Sequence, residues 1–336
     1  IVDTHGMQKG GLILMDIKTN SILALVSRPQ IDGNDPFKDE GAKNFMVTAS
    51  VPGSIFKTVI AAAAIDYNLV PPSRQFDCTQ TIHGEEDEYF DHGIYDFTTS
   101  FAASCNFTFG TLAKELAEID KGIIENYATK LGLLDPVAWQ GNVFHYQGFR
   151  QIPEEEQGQV FLTDKERQDP NFAALTGIGQ KNVRITPLQA VNMMATIARG
   201  GKKEMVRVVD ALKYKNGTNL FRFPQAALEG GNLSPYTAMK LQHLLREVVT
   251  NSVGTGRALK DLPYTVAGKS GTAETGLDDP TSNKKILNHW FVGYFPFEEP
   301  KYALVVVHLE AITYPSPIPI FQDMVKFLYD YDQQGL

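Results

Sequence analysis

Residues 55–65 read Ile-Phe-Lys-Thr-Val-Ile-Ala-Ala-Ala-Ala-Ile and follow directly on Val51-Pro52-Gly53-Ser54. Four consecutive alanines favour helix, and apolar residues fall on every side of it. A helix with no polar face has to be enclosed by other elements, so this one belongs at the centre of a sizeable fold. One lysine, Lys57, interrupts it in the first turn.

The rest of the pattern places strands at the two ends of the chain. Residues 11–17 and 22–27 are apolar, strand-length runs separated by the turn-type tetrapeptide at 18–21. Three further strands are expected over 264–274, 289–295 and 302–309, with a closing helix from about 320 to 331. Residues 69–98 are irregular, and Glu85 to Glu88 form an acidic patch that reads as a solvated loop face, not a metal site. Helical patterning dominates 99–134, and a polar and aromatic stretch fills 135–185. Thr186-Pro187 starts a helix that Gly200-Gly201 ends, and Ser234-Pro235 starts another through residue 249. A small hairpin around Asn216-Gly217 is expected over 204–223. The pattern predicts an α/β fold with one sheet built from two strands at the start of the chain and three at its end. A helical lobe at about 66–260 is inserted between the N-terminal and C-terminal strands of this single unit.

Composition narrows the function. The 336 residues are 43% hydrophobic and 21% charged, with 20 Phe and 13 Tyr, which excludes a mainly disordered chain. A net charge of −8 argues against a nucleic-acid platform, which needs a clustered positive surface. No apolar run approaches the roughly 20 residues of a membrane-spanning helix, and no signal-peptide pattern is visible. Cys78 and Cys105 are too few for a disulfide framework; one disulfide or two thiols both fit. Without a C-x-x-C pair or a histidine cluster, no metal site is expected.

Three short strings could carry chemistry. Ser54 and Lys57 stand at i and i+3, one helical face apart, where an amine can meet a hydroxyl. Ser54 could instead be only a helix cap, although a capping box would want Glu or Gln where Lys57 stands. A lysine buried in an apolar helix is pushed toward its neutral, basic form, which can activate a nucleophile. The same spacing recurs at Ser282 and Lys285, in a polar loop with no helix after it. Ser104-Cys105-Asn106 opens an apolar-periodic helix. Lys269-Ser270-Gly271-Thr272 lies in a strand pattern with almost no side chain to pack, as expected of an edge strand with a bulge or one that a peptide lies against.

S-x-x-K, S-x-N and K-[ST]-G in this order resemble the signature of penicillin-binding proteins and serine β-lactamases. The chain most resembles the transpeptidase domain of class B (monofunctional, high-molecular-weight) penicillin-binding proteins. Thr176 to Gln180, Ile185 to Gln189, Gly254-Thr255-Gly256 and His289 to Tyr294 add to the likeness, which runs from about Gly11 to the C-terminus. Two departures are modest: Ile55 replaces a small polar residue, and Ser270 replaces the more frequent Thr.

The resemblance implies a penicillin-binding-protein/serine β-lactamase-like α/β sandwich, with a mainly antiparallel sheet of about five strands flanked by helices, and a serine D,D-transpeptidase that cross-links peptidoglycan stem peptides and is acylated by β-lactams. Ser54 would be the acylated nucleophile and Lys57 its base. Ser104 would pass protons to the leaving group, and Asn106 would hold Lys57 and the substrate amide. Lys269 would favour anionic substrates, with Ser270, Gly271, Thr272 and Trp290 contacting substrate or β-lactam. The backbone N–H groups of Ser54 and Thr272 would form the oxyanion hole. No cofactor is implied. The implied partners are stem peptides, β-lactams and other cell-wall synthesis proteins. The implied location is the outer face of the bacterial cytoplasmic membrane; the family's N-terminal anchor and pedestal are absent from this stretch. A D,D-carboxypeptidase or β-lactamase, in which water resolves the ester, and a non-turnover penicillin-binding sensor or scaffold are the alternatives. No E-x-x-L-N string, which would announce a glutamate-held water, lies between Asn106 and Lys269.

Overall fold

The computed structural model describes residues 1–82, 93–313 and 315–335; the acidic patch at 85–88 lies outside the described residues. The first two strands, β1 (Gly10–Asp16) and β2 (Ser21–Arg28), form a hairpin, and a 3-10 turn then leads into α1 (Lys57–Asp66). Beyond it come β3 (Gln75–Asp77), β4 (Ile94–Asp96), α2 (Phe97–Ala102), α3 (Asn106–Ile119) and α4 (Ile123–Lys130). The polar stretch that follows holds a hairpin, β5 (Gln140–Val143) and β6 (Tyr146–Arg150), and two short helices, α5 (Asp164–Gln168) and α6 (Pro170–Gly177). Next are α7 (Pro187–Ala198), a second hairpin β7 (Ala211–Lys213) and β8 (Asn219–Arg222), and α8 (Pro235–Thr250). The chain closes with β9 (Ala267–Asp278), β10 (Lys285–Phe295), β11 (Tyr302–Ala311) and α9 (Ile318–Gln333).

Strands from the two ends of the chain meet in one five-stranded sheet of order β2-β1-β11-β10-β9, antiparallel throughout. Both faces are covered, which is why β1 and β11 read as nearly unbroken apolar runs. Along each strand, alternate residues serve different cores. Ile13, Met15, Val305 and Val307 face the helical side with α1, whereas Leu12, Leu14, Leu304 and Val306 pack under α9 with Phe321, Val325 and Leu328. The all-apolar α1 is where its composition demands: Val59 through Ala64 are fully buried. The expected helix after Thr186 forms with a complete capping box, Thr186 and Gln189 exchanging side chain to backbone bonds of 3.0 and 2.8 Å.

Within the sheet, His289 of β10 stands opposite Thr272 of β9 on one side and His308 of β11 on the other. Both imidazoles are buried. Burial, and secondarily the neighbouring His308, bring His289 down to about 4. The unfolded chain therefore takes up this proton near pH 6.5 and the folded protein only near 4, so stability is lost as pH falls through that window. Glu155 works in the opposite sense, since burial raises its carboxyl to about 7 and its contribution is lost as pH rises. The signature is thus a difference: the stability advantage of wild type over His289→Gln should shrink by about 3 kcal/mol between pH 7 and pH 4. Urea unfolding of both proteins across that range checks it, and a pH-independent difference contradicts it.

Candidate active site

Ser54 stands in the 3-10 turn Gly53–Phe56, one step before α1, and not at a conventional α-helix cap. Gly53 holds this turn in the left-handed region, with φ +58°, and its N–H donates to the Gly179 carbonyl at 3.0 Å. A side chain at Gly53 would overlap the Thr272 carbonyl, and a Cβ at Gly271 would come within 2.5 Å of the Pro52 carbonyl oxygen. The glycines thus let β9, the edge of the sheet, lie directly along the nucleophile turn. In an antiparallel strand a residue's N–H and C=O point the same way. Because the Thr272 carbonyl faces Gly53, its N–H also faces the open side beside Ser54.

Lys57 is fully buried. Its Nζ donates to the Ser104 carbonyl (2.5 Å), to Asn106 Oδ1 (2.6 Å) and to Ser104 Oγ (3.2 Å), and the Phe109 ring covers it at 5.8 Å. Lys269, also fully buried, donates from Nζ to the same Ser104 Oγ at 2.8 Å, beneath the Phe101 ring at 5.7 Å. One hydroxyl therefore sits between two lysine amines. Burial, and then the positive charge of Lys57, push Lys269 well below the usual lysine range. With one hydroxyl bonded to both amines, a proton can pass along Lys57, Ser104 and Lys269, and burial favours the neutral form of Lys269.

Ser104 reaches this position through a left-handed backbone, φ 61°, in the short break between α2 and α3. A non-glycine residue held there is strained by about 1–3 kcal/mol and needs firm support on both sides. Cys105 supplies it. It caps α3, its Sγ accepting from the Thr108 N–H and hydroxyl at 3.4 and 3.1 Å, and it is disulfide-bonded to Cys78, Cα to Cα 5.9 Å. The alternative left open by the sequence is resolved as a disulfide. It closes a loop of sequence separation 27, so reduction should lower stability by about 3 kcal/mol. Urea unfolding with and without reductant tests this; unchanged midpoints contradict it.

The sequence-read residues Ser54, Lys57, Ser104, Asn106, Lys269, Ser270, Gly271 and Thr272 come together where the nucleophile turn and the start of α3 meet β9, with both lysines fully buried. Ser270 is half-buried and Thr272 exposed on the strand, two residues apart on one face. Trp290 is a correction. It is only 1% exposed, and its indole N–H donates to the Val51 carbonyl at 3.1 Å. With its ring in the core and its indole N–H committed to that carbonyl, it props the nucleophile turn and presents no group to a substrate. The second S-x-x-K string is also elsewhere: Ser282 bonds the Asp279 carboxylate, and Lys285 pairs with Asp278 at 3.0 Å. Sequence reading assigned no role to Thr255, whose Oγ1 accepts from Ser270 Oγ at 2.7 Å. The available signal was a lone hydroxyl between Gly254 and Gly256.

With this geometry in place, comparison with known proteins is decisive at the level of family. The sequence profile of the penicillin binding protein transpeptidase domain matches residues 10–324. The chain belongs to this family. Among its relatives is the peptidoglycan D,D-transpeptidase MrdA of Haemophilus influenzae, 26% identical over 332 residues, covering 89% of this chain and 49% of the relative. The chain spans 49% to 62% of the length of these curated relatives. Two solved structures share the fold. The D,D-transpeptidase domain of a peptidoglycan glycosyltransferase from Eggerthella lenta aligns with a TM-score of 0.77 at 21% identity, covering 99% of this chain and 80% of that one. The imipenem acyl-enzyme complex of penicillin-binding protein A from M. tuberculosis aligns with a TM-score of 0.75 at 23% identity, covering 95% and 74%. The class of protein read from three short strings is therefore borne out, as is the antiparallel α/β architecture.

Proposed function

We propose that this chain is one catalytic unit, a serine D,D-transpeptidase acting on peptidoglycan stem peptides. The observation that carries the reading is Ser104 Oγ lying within hydrogen-bond reach of both Lys57 and Lys269, beside the turn that presents Ser54 to an open strand edge. The relative named as a peptidoglycan D,D-transpeptidase and the relative captured as a β-lactam acyl-enzyme support it.

In this mechanism a donor peptide ending in D-Ala-D-Ala lies antiparallel along β9, its terminal carboxylate at Ser270 and Thr272. That carboxylate favours the charged form of Lys269, so a proton passes from Lys57 through Ser104 to Lys269, and Lys57, now the neutral amine, takes the Ser54 hydroxyl proton while Oγ attacks the penultimate carbonyl carbon. The oxyanion is held by the N–H groups of Ser54 and Thr272. The proton reaches the departing D-Ala nitrogen through Ser104, the C–N bond breaks, and an ester on Ser54 remains. A neighbouring stem peptide's amine then attacks the ester, forming the cross-link and returning the proton to Ser54. The negative carboxylate favours the charged form of Lys269, whereas the free protein disfavours it. β-Lactams enter by the same attack and leave an ester that no acceptor amine resolves.

The proposal includes an extracytoplasmic site of action, where the substrates are found and a disulfide persists, and cooperation with other wall-synthesis proteins. Among the described residues no helix is long and apolar enough to cross a membrane. The test is incubation with a pentapeptide donor, with and without an amine-bearing stem-peptide acceptor. Acceptor-dependent release of D-Ala with a cross-linked product is expected, together with a penicilloyl adduct lasting many minutes. Equal D-Ala release by water alone would favour a carboxypeptidase, rapid β-lactam turnover a β-lactamase, and a lasting adduct with no D-Ala release a sensor.

A further inference from the structure

The Gly254-Thr255-Gly256 segment takes no part in the acyl-transfer steps, yet it is held firmly against them. The Thr255 N–H donates to the carbonyl of Ala102, at the end of α2 and two residues before Ser104, at 3.1 Å. The Gly256 N–H donates to the Val248 carbonyl in α8 at 2.9 Å, and a side chain at Gly254 would overlap that same carbonyl. Thr255 is thereby pinned, half-buried, between α2 and α8 with its hydroxyl against Ser270.

We infer that Thr255 is a positioning residue for the substrate's terminal carboxylate, acting through Ser270. The inference rests on the transpeptidase reading above. A serine hydroxyl has one proton to give and a carboxylate only accepts. In the free protein Ser270 gives its proton to Thr255, so none points at the cleft. When a carboxylate arrives, Ser270 turns its O–H toward it, and its own oxygen then needs a donor, which Thr255 provides at the same 2.7 Å. The two hydroxyls reverse as one chain; no proton is transferred and no bond other than hydrogen bonds is made. The Thr255 end fixes the Ser270 rotamer and polarises its O–H, which strengthens the bond to the anion. Ser270 lacks the methyl group of threonine that would restrict its χ1, so a fixed neighbour is needed to hold it.

Thr255→Val keeps the shape and removes the hydroxyl, and Thr255→Ser keeps the hydroxyl. Acylation of Ser54 is followed by intact mass at several concentrations of benzylpenicillin and of its methyl ester, whose carboxylate is masked. Thr255→Val should need about tenfold more benzylpenicillin for half-maximal rate, the upper end expected for one neutral hydrogen bond, with its maximal rate within about twofold. Thr255→Ser should behave as wild type, and the ester should not distinguish the three proteins. Thr255→Ala, measured identically, serves if thermal unfolding shows the valine variant to be misfolded. In a Ser270→Ala background, Thr255→Val should add no further loss. Unchanged benzylpenicillin dependence in Thr255→Val, or equal loss with acid and ester, overturns the inference while leaving Ser54 chemistry standing. Failure of wild type to acylate with either probe overturns the transpeptidase reading itself, and this inference with it.

Discussion

Lys57→Ala should slow acylation of Ser54 by a β-lactam by about 10²–10⁴, the range expected when a general base is removed. The lysine is fully buried, and its Nζ lies on the oxygens of Ser104 and Asn106, so no water replaces it without rearrangement. Truncation also strands those buried acceptors, and stability should fall by about 1–3 kcal/mol. The two effects are separable: acylation is followed by intact mass over hours at a temperature where thermal unfolding shows the variant still folded. A small added amine that restores part of the rate would mark the lost group as a base. Acylation within tenfold of wild type would remove Lys57 from that role.

A second large loss is expected from a residue with no functional group. Gly53→Ala places a methyl group against the Thr272 carbonyl, in a left-handed turn at φ +58°. The conformation alone costs about 1 kcal/mol. The overlap has to be relieved by moving β9 away from the nucleophile turn, and the Thr272 N–H moves with it. Loss of one oxyanion donor lowers rates by about 10²–10³. Gly217→Ala is the control, since Gly217 is also left-handed, φ +86°, but has open space around it. It should lower stability by about 1 kcal/mol and leave acylation unchanged. Equal acylation by Gly53→Ala and wild type would contradict the account of how β9 is seated.

The parts of this site that were legible in the sequence are those whose chemistry fixes residue types at fixed spacing. Ser54 and Lys57 are one such pair, and Lys269 through Thr272 on a side-chain-poor strand is another. The central helix was legible because a run as apolar as 59–64 has no solvated face to offer. Trp290 was misread although it does take the helical face of β10: the nucleophile turn lies over it there, with its indole bonded to the Val51 carbonyl, and that contact across the fold is absent from the local pattern. The β5–β6 hairpin and helix α5 were missed because short, polar, exposed elements carry no periodic apolar signal, and α6, although Ala173 and Ala174 are buried, because eight residues are too few to show a period. The pairing of Cys78 with Cys105 and the contact of Thr255 with Ser270 are distances across the fold, which local pattern does not contain.

The central claim is that Ser54 is the one nucleophile of this chain, and site-resolved mass spectrometry after exposure to benzylpenicillin tests it most directly. The account predicts a single penicilloyl adduct on the peptide that carries Ser54, and no adduct on Ser54→Ala although its thermal unfolding is nearly unchanged. An adduct retained by Ser54→Ala, or found at Ser282 or Ser104, would contradict it.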